Sequence, residues 1–321
     1  VSRDLALVFR GTGGIIGEDY VSRVCQGAED LVEEVHPKFP ATMGGLPVGA
    51  ATDPGDPSMQ RAVDTAVSDA IDIINGSGDR RIVVGGYSAG AVAAARVREF
   101  IAKTCPERYV CSFSFGDPTR PEGGAYFAGT PAPGHGISTW RYGDVTDWRH
   151  CWLAQPGDMY ASVPSGDTGL ILGDFYDIVT RVQLSDPVGT LSAILMKLPD
   201  ILTHAGILGD ARHDVSEPVL NIIGGLLGGG QSPQDWLGGL LNVPNPAGLG
   251  NPLLLAYNSL VGLLDGEPDD IAAAINAAVV AIQFAASGTA PHITYETAQV
   301  WPGQTYLGLA IQHVRDWCSR T

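Results

Sequence analysis

A chain of 321 residues with 45% hydrophobic side chains is long enough to bury a substantial core. Its 35 acidic residues against 19 basic ones give a formal net charge of −16, which repels nucleic acid and anionic membrane surfaces and leaves neutral or lipidic substrates easier to accommodate. Only 17% of residues are charged and 42 are glycine, a composition that reads as a globular protein with close backbone packing.

The chain begins Val1-Ser2-Arg3-Asp4. It passes directly into a strand-like run, so no signal peptide is expected; the missing initiator Met fits a trimmed N-terminus. Asp4 to Phe9 carries the apolar run Leu5-Ala6-Leu7-Val8 and stops at Gly11-Thr12-Gly13-Gly14. Met59 to Ile74 has a helical rhythm in Ala62, Ala66, Ala70, Ile71 and Ile74, ended by Asn75-Gly76-Ser77-Gly78. Ile82-Val83-Val84 predicts a short strand, and an alanine-rich stretch from Ala89 to about Lys103 predicts a helix after it. Tyr109 to Phe115 predicts a further strand closing at Gly116-Asp117-Pro118, and Ile137 to Tyr142 another. Strands alternating with helices imply a central, mostly parallel sheet flanked by helices, with ligands gathering at the strand carboxyl ends.

Composition shifts after about Asp167. Leu191, Leu195, Leu198 and Leu202 recur at helical spacing, followed by pieces such as Leu226-Leu227-Gly228-Gly229-Gly230 and Leu253-Leu254-Leu255. Ile271 to Ala290 predicts a buried or lid-forming helix whose alanines, Asn276 and Gln283 leave it short of a membrane span. The expected organisation is an α/β core over 1–167 and 287–321 with a helical subdomain inserted at 168–286. The chain returns through Pro291-His292-Ile293-Thr294-Tyr295 and ends in an amphipathic helix from about Gly303 to Trp317. Cys25, Cys105, Cys111, Cys151 and Cys318 have neither CxxC nor metal-ligand spacing, which reads as mostly reduced or buried thiols with no metal site.

Gly86-Tyr87-Ser88-Ala89-Gly90 lies between the predicted strand and its helix. That context is what a GxSxG nucleophile elbow requires: a sharp turn lifts a serine hydroxyl into view, and the flanking glycines avoid collisions. Ser88 is the candidate nucleophile, and a serine at neutral pH needs a histidine base held by a carboxylate, in the chain order serine, acid, histidine. His36, His135 and His150 come too early for that order, and His204 and His213 fall in the insertion. His292 is preferred on its loop-like approach, with His313 in the last helix as the alternative. Asp158, in Gln155-Pro156-Gly157-Asp158, is the preferred acid, ahead of Asp117, Asp144 and Asp147. The Ala89 N–H and Thr12 on the glycine turn are the candidate oxyanion donors. Neither GxGxxG nor a P-loop occurs there, so no cofactor is implied.

These pieces, Phe9-Arg10-Gly11-Thr12-Gly13, Gly86-Tyr87-Ser88-Ala89-Gly90, Phe115-Gly116-Asp117-Pro118, Pro156-Gly157-Asp158 and the late His292, resemble in their order the cutinase-like α/β-hydrolases, most closely the mycobacteriophage lysin B group. The resemblance spans residues 4 to 292. It implies an esterase that frees mycolic acids from arabinogalactan in the mycobacterial envelope during phage lysis, made in the infected cytoplasm and acting at the outer envelope. It also implies a helical subdomain between acid and histidine. The disulfide that commonly fastens the acid loop of cutinases has no counterpart around Cys151, and the peptidoglycan-binding module of some family members is not visible. The implied partner is a lipid ester, with contact at the envelope surface. Rival readings are a cutinase-like lipase acting on shorter acyl esters, and a non-catalytic envelope-binding protein built on a hydrolase fold.

Overall fold

The computed structural model describes residues 3–45, 48–51, 53–126, 131–183, 185–186, 197 and 290–320. Five strands form one sheet: β1 (Asp4–Phe9), β2 (Val32–Val35), β3 (Ile82–Tyr87), β4 (Tyr109–Phe115) and β5 (His150–Leu153). Their order is β2-β1-β3-β4-β5, and every pairing is parallel. All the strand exits therefore lie along one edge, and residues that follow a strand become neighbours there however distant they are in sequence.

Strand alternation sorts side chains between the two faces. Ala6, Val8, Val83, Cys111, Phe113, Phe115, Cys151 and Leu153 pack with α1 (Tyr20–Gln26) and the last helix, α5 (Tyr306–Cys318), in one apolar core. On the other face α3 (Ala89–Thr104) lies against β1, β3 and β4, and α2 (Met59–Gly76) packs on α3. The starts of α1, α2 and α5 are capped by side chains: Asp19 accepts from Val21 N–H, Ser58 from Arg61 N–H and Thr305 from Gly308 N–H. The architecture is the α/β class expected, a parallel sheet with helices on both faces. A two-stranded ribbon of β6 (Gln299–Trp301) and β7 (Gln304–Thr305) leads into α5.

Ile137 to Tyr142 is not a strand. Its backbone N–H groups go to loop carbonyls, Ile137 to Tyr160, Ser138 to Pro118 and Tyr142 to Thr119, so the segment braces the loops after β4 and β5. The fifth strand is His150–Leu153 instead, paired along β4 from Ser112 to Phe115.

The chain divides into two compact units, Val1–Ser165 with Ala290–Thr321, and Gly166–Thr289. The second unit opens with α4 (Asp167–Val179), whose Asp174 and Asp177 carboxylates are approached by Lys197 Nζ at 3.4 and 3.1 Å. The predicted helices at Leu191–Leu202 and from Ile271 onward, the glycine- and leucine-rich pieces, His204 and His213 lie outside the described residues, save for Lys197 and for Ala290, which opens a 3-10 turn. Among the described residues no helix is long and apolar enough to cross a membrane. All five cysteines are buried as free thiols.

Candidate active site

Ser88 sits between β3 and α3 at φ 55°, ψ −123°, and with Ala41 it is one of two non-glycine residues at positive φ among those described. Such a conformation costs on the order of 1–3 kcal/mol and persists only where its surroundings enforce it. Here the Ser88 N–H donates to Phe115 O at 3.0 Å, and the Ser88 carbonyl accepts from Ala91 N–H at 2.9 Å. A Cβ at Gly86 would stand 2.5 Å from the Ala91 Cα, and one at Gly90 would collide with the Phe9 and Arg10 carbonyls. The glycines on either side of the serine thus let the start of α3 close down on β1 and β3.

His292 arrives on a 3-10 turn, Ala290–Ile293. Its Nε2 is 2.9 Å from Ser88 Oγ, and its Nδ1 is 3.0 Å from each carboxylate oxygen of Asp158. Asp158 is wholly buried and His292 nearly so. Burial pushes the Asp158 carboxyl up, yet the charge and hydrogen bond of His292, the Tyr295 hydroxyl and the Tyr160 N–H outweigh it and hold the pKa below the usual carboxylate value. An ionised Asp158 only accepts hydrogen bonds. Nδ1 therefore carries the proton of neutral His292, and Nε2 presents its lone pair to the serine O–H.

The supporting shell is dense. Tyr295 donates to Asp158 Oδ2 at 2.5 Å and accepts the Gln155 N–H at 3.1 Å, while Tyr160 N–H donates to Asp158 Oδ1 at 2.9 Å. Gln155 Nε2 reaches Pro291 O at 2.7 Å, and Tyr87 O–H donates to His292 O at 2.9 Å, fixing the histidine turn from both sides. The His292 ring lies 4.5 Å from the Tyr160 ring and 5.2 Å from that of Tyr87, centroid to centroid. Gly116, at φ 52°, leaves the space that the imidazole occupies: a Cβ there would meet His292 Nδ1 at 2.6 Å. Tyr295 is pushed far above its ordinary pKa by burial and then by the Asp158 charge, so it stays a donor throughout the working range.

Ala89 is the first residue of α3, and Thr12 lies on the turn that follows β1, beside β3 through the Phe9–Gly86 pairing. Neither N–H has a partner among the described residues. The turn is tied down by Gly11 N–H donating to Asp19 Oδ2 at 3.0 Å and Gly13 N–H donating to Ala41 O at 2.8 Å. Two fixed, unoccupied donors at a helix start and an adjoining turn suit an oxyanion.

The alternative residues lie elsewhere. Asp117 is buried after β4 and folds back on itself, Oδ1 accepting from Thr119 N–H at 2.7 Å and Thr119 Oγ1 at 2.6 Å. Asp144 closes an exposed turn onto Thr146, and Asp147 grips Arg149. His313 is in the core, its Nε2 3.1 Å from the carbonyls of Ser112 and Arg149. A second serine–histidine grouping joins His150 Nδ1 to Ser112 Oγ at 2.6 Å and His150 Nε2 to Ser114 Oγ at 3.1 Å, with Arg98 Nη1 3.2 Å away. All three of its hydroxyl and imidazole groups are sealed between sheet and helix, where no substrate reaches them. Among the described residues no cluster of His, Cys, Asp or Glu has the makings of a metal site.

Sequence reasoning missed Tyr295, Gln155, Tyr160 and Tyr87. Two signals were present: Tyr295 stands three residues past His292, and Gln155 three before Asp158, so each helper shares a turn with the residue it serves.

No family model matches the chain, and no curated protein matches it. Among solved structures it is similar to lysin B from mycobacteriophage D29, at 17% identity and a TM-score of 0.43, over 65% of this chain and 93% of that one. It is also similar to the catalytic core domain of acetyl xylan esterase from Trichoderma reesei, at 15% identity and a TM-score of 0.38, over 63% and 98% of the two chains. A cutinase-like protein from Cryptococcus sp. is similar at 12% identity and a TM-score of 0.36, over 56% and 96%.

Proposed function

We propose that this protein is a serine esterase, and that its substrate is the ester between mycolic acids and arabinogalactan in the mycobacterial envelope, cleaved during phage lysis. The observation that carries the esterase reading is the continuous chain from Ser88 Oγ to His292 Nε2 at 2.9 Å and from His292 Nδ1 to Asp158 at 3.0 Å. In this reading Ser88 Oγ attacks the ester carbonyl as its proton passes to His292 Nε2. The imidazolium is stabilised by Asp158, and the Ala89 and Thr12 N–H groups receive the carbonyl oxygen as it becomes negative. His292 then protonates the departing alcohol, and water activated by the same nitrogen releases the acid from Ser88. The substrate assignment is supported by the order of motifs from Phe9 to His292 and by an interposed second unit between acid and base. The same resemblance supports synthesis in the infected cytoplasm and action at the outer envelope.

The test has two levels. Ser88 should be labelled by a fluorophosphonate and should turn over p-nitrophenyl butyrate, and Ser88→Ala should abolish both; retained hydrolysis in that variant would reject the esterase reading. Purified mycolyl-arabinogalactan should release free mycolic acids faster than tributyrin is hydrolysed. The reverse preference would leave an esterase of shorter acyl chains.

A further inference from the structure

Along the turn after β1, Gly11-Thr12-Gly13-Gly14, nearly every backbone donor is already engaged. The Gly11 N–H donates to Asp19 Oδ2 at 3.0 Å, the Gly13 N–H to Ala41 O at 2.8 Å and the Gly14 N–H to Gly11 O at 3.0 Å. Among the described residues only the Thr12 N–H is left over. Three donors shape the turn, and the direction of the fourth follows from where they are held.

Of the three acceptors, only Asp19 is a side chain. Its Oδ1 caps α1, accepting from Val21 N–H at 3.3 Å, which leaves Oδ2 for Gly11, eight residues back. A cap needs one oxygen; the second here serves the turn. The approach is close, since a Cβ on Gly14 would stand 2.5 Å from Oδ2. Arg10 braces the same turn, its Nε–H donating to Gly14 O at 2.9 Å, and its charge acts on the Asp19 carboxylate.

The start of α1 is itself registered against the nucleophile. Val21, Val24 and Cys25 lie in the apolar core, and Tyr20 sets its ring 4.7 Å from that of Tyr87, the residue before Ser88. The Tyr87 ring in turn lies over Gly11, where a Cβ would come within 2.6 Å of it. From one helix start, therefore, Asp19 reaches the turn that carries Thr12, and Tyr20 packs on the element that carries Ser88 and Ala89. A carboxylate one residue from an oxyanion donor opposes a developing negative charge, so what Asp19 contributes is placement.

We infer that Asp19 is a positioning residue for ester hydrolysis, holding the turn so that the Thr12 N–H is aimed at the carbonyl oxygen of an ester attacked by Ser88. The inference rests on the esterase reading and adds the side chain that sets its oxyanion geometry. The experiment compares p-nitrophenyl butyrate with its thiono analogue, whose carbonyl sulfur is a poor hydrogen-bond acceptor. Asp19→Ser keeps a capping oxygen for α1 but is too short to hold Gly11 as well. Gly14→Ala leaves Asp19 in place and crowds its Oδ2 away from the turn.

In both variants kcat/KM for the oxo ester should fall about tenfold or more, through kcat, while the thiono ester loses much less, so the oxo-to-thiono ratio drops. General loosening of the fold slows both esters alike and leaves the ratio where it was. An unchanged ratio, or one that rises because a negative charge has been removed, overturns the positioning role, and wild-type hydrolysis of p-nitrophenyl butyrate then keeps the esterase standing. Wild type that hydrolyses neither ester and takes up no fluorophosphonate removes the esterase and the positioning role together. Asp19→Ser decides if circular dichroism shows it folded, and Gly14→Ala decides if it is not.

Discussion

Tyr295 donates its phenolic proton to Oδ2 of Asp158 at 2.5 Å, so the carboxylate is held by a side chain that enters on the same short segment as His292. Oδ1 is meanwhile held by the Tyr160 N–H. Both oxygens are fixed before His292 donates to them, and the imidazole has little freedom to rotate away from Ser88.

Removing that phenol separates orientation from packing. Tyr295→Phe keeps the ring among Phe115, Tyr20 and Tyr306 but leaves Asp158 Oδ2 and the Gln155 N–H each short of one partner. A lost hydrogen bond to a charged group predicts a fall in kcat of about tenfold or somewhat more, with KM little changed. More negative charge then faces the imidazolium, so the acid limb of kcat/KM should move to higher pH. A limb that stays in place while the melting temperature drops would reduce Tyr295 to a packing role.

The serine's backbone offers a second separation. At φ 55°, ψ −123° Ser88 bears strain that glycine escapes and alanine does not. Ser88→Gly and Ser88→Ala should both lose activity by several orders of magnitude. Relief of roughly 1–3 kcal/mol, less about 0.4–1 kcal/mol for the freer unfolded chain, predicts that only the glycine variant melts a few degrees higher than wild type. Equal melting temperatures for the two would show that the turn is unstrained.

Acid stability reports on the buried histidine of α5. Burial first, partly offset by the Ser112 and Arg149 carbonyls, lowers His313 from 6.5 to about 4. Between those values the unfolded chain binds a proton that the folded one refuses, so this contribution is intact above about pH 6.5, shrinks as pH falls, and is gone near pH 4. His150 is lowered too, by burial and then by Arg98, and acts in the same direction. Chemical denaturation of His313→Gln should show lower stability at pH 8 and a shallower decline from pH 6.5 to 4, by up to about 1.4 kcal/mol per pH unit. Parallel wild-type and variant curves would mean that His313 titrates alike in both states.

The strands that sequence reasoning located at full length are Asp4–Phe9, apolar on both faces beyond Asp4, and Tyr109–Phe115, where Cys111, Phe113 and Phe115 give one face a strong apolar signal while Ser112 and Ser114 face His150 on the other. The β3 run was read three residues short because Gly85 and Gly86 carry no hydrophobic signal; they are small so that the Phe113 ring and the start of α3 fit against them. The edge strand Val32–Val35 contains Glu33 and Glu34, and β5 begins with His150, whose burial is made possible by Ser112, Ser114 and Arg98 on other elements. Ile137–Tyr142 has a strand-like composition but finds its hydrogen bonds in loops. In the site, chain order singled out residues that the fold brings together, Ser88, Asp158 and His292. Tyr295 escaped notice because an aromatic near an apolar segment looks like core until its hydroxyl is traced.

Every strand of the main sheet precedes residue 154, whereas the imidazole stands on a turn that begins at Ala290. During synthesis on the ribosome, therefore, Ser88 emerges 204 residues ahead of the imidazole it meets, and α5, which covers one face of the sheet, emerges later still. The hydrogen-bonded chain from serine to carboxylate is therefore assembled only after residue 292 has emerged.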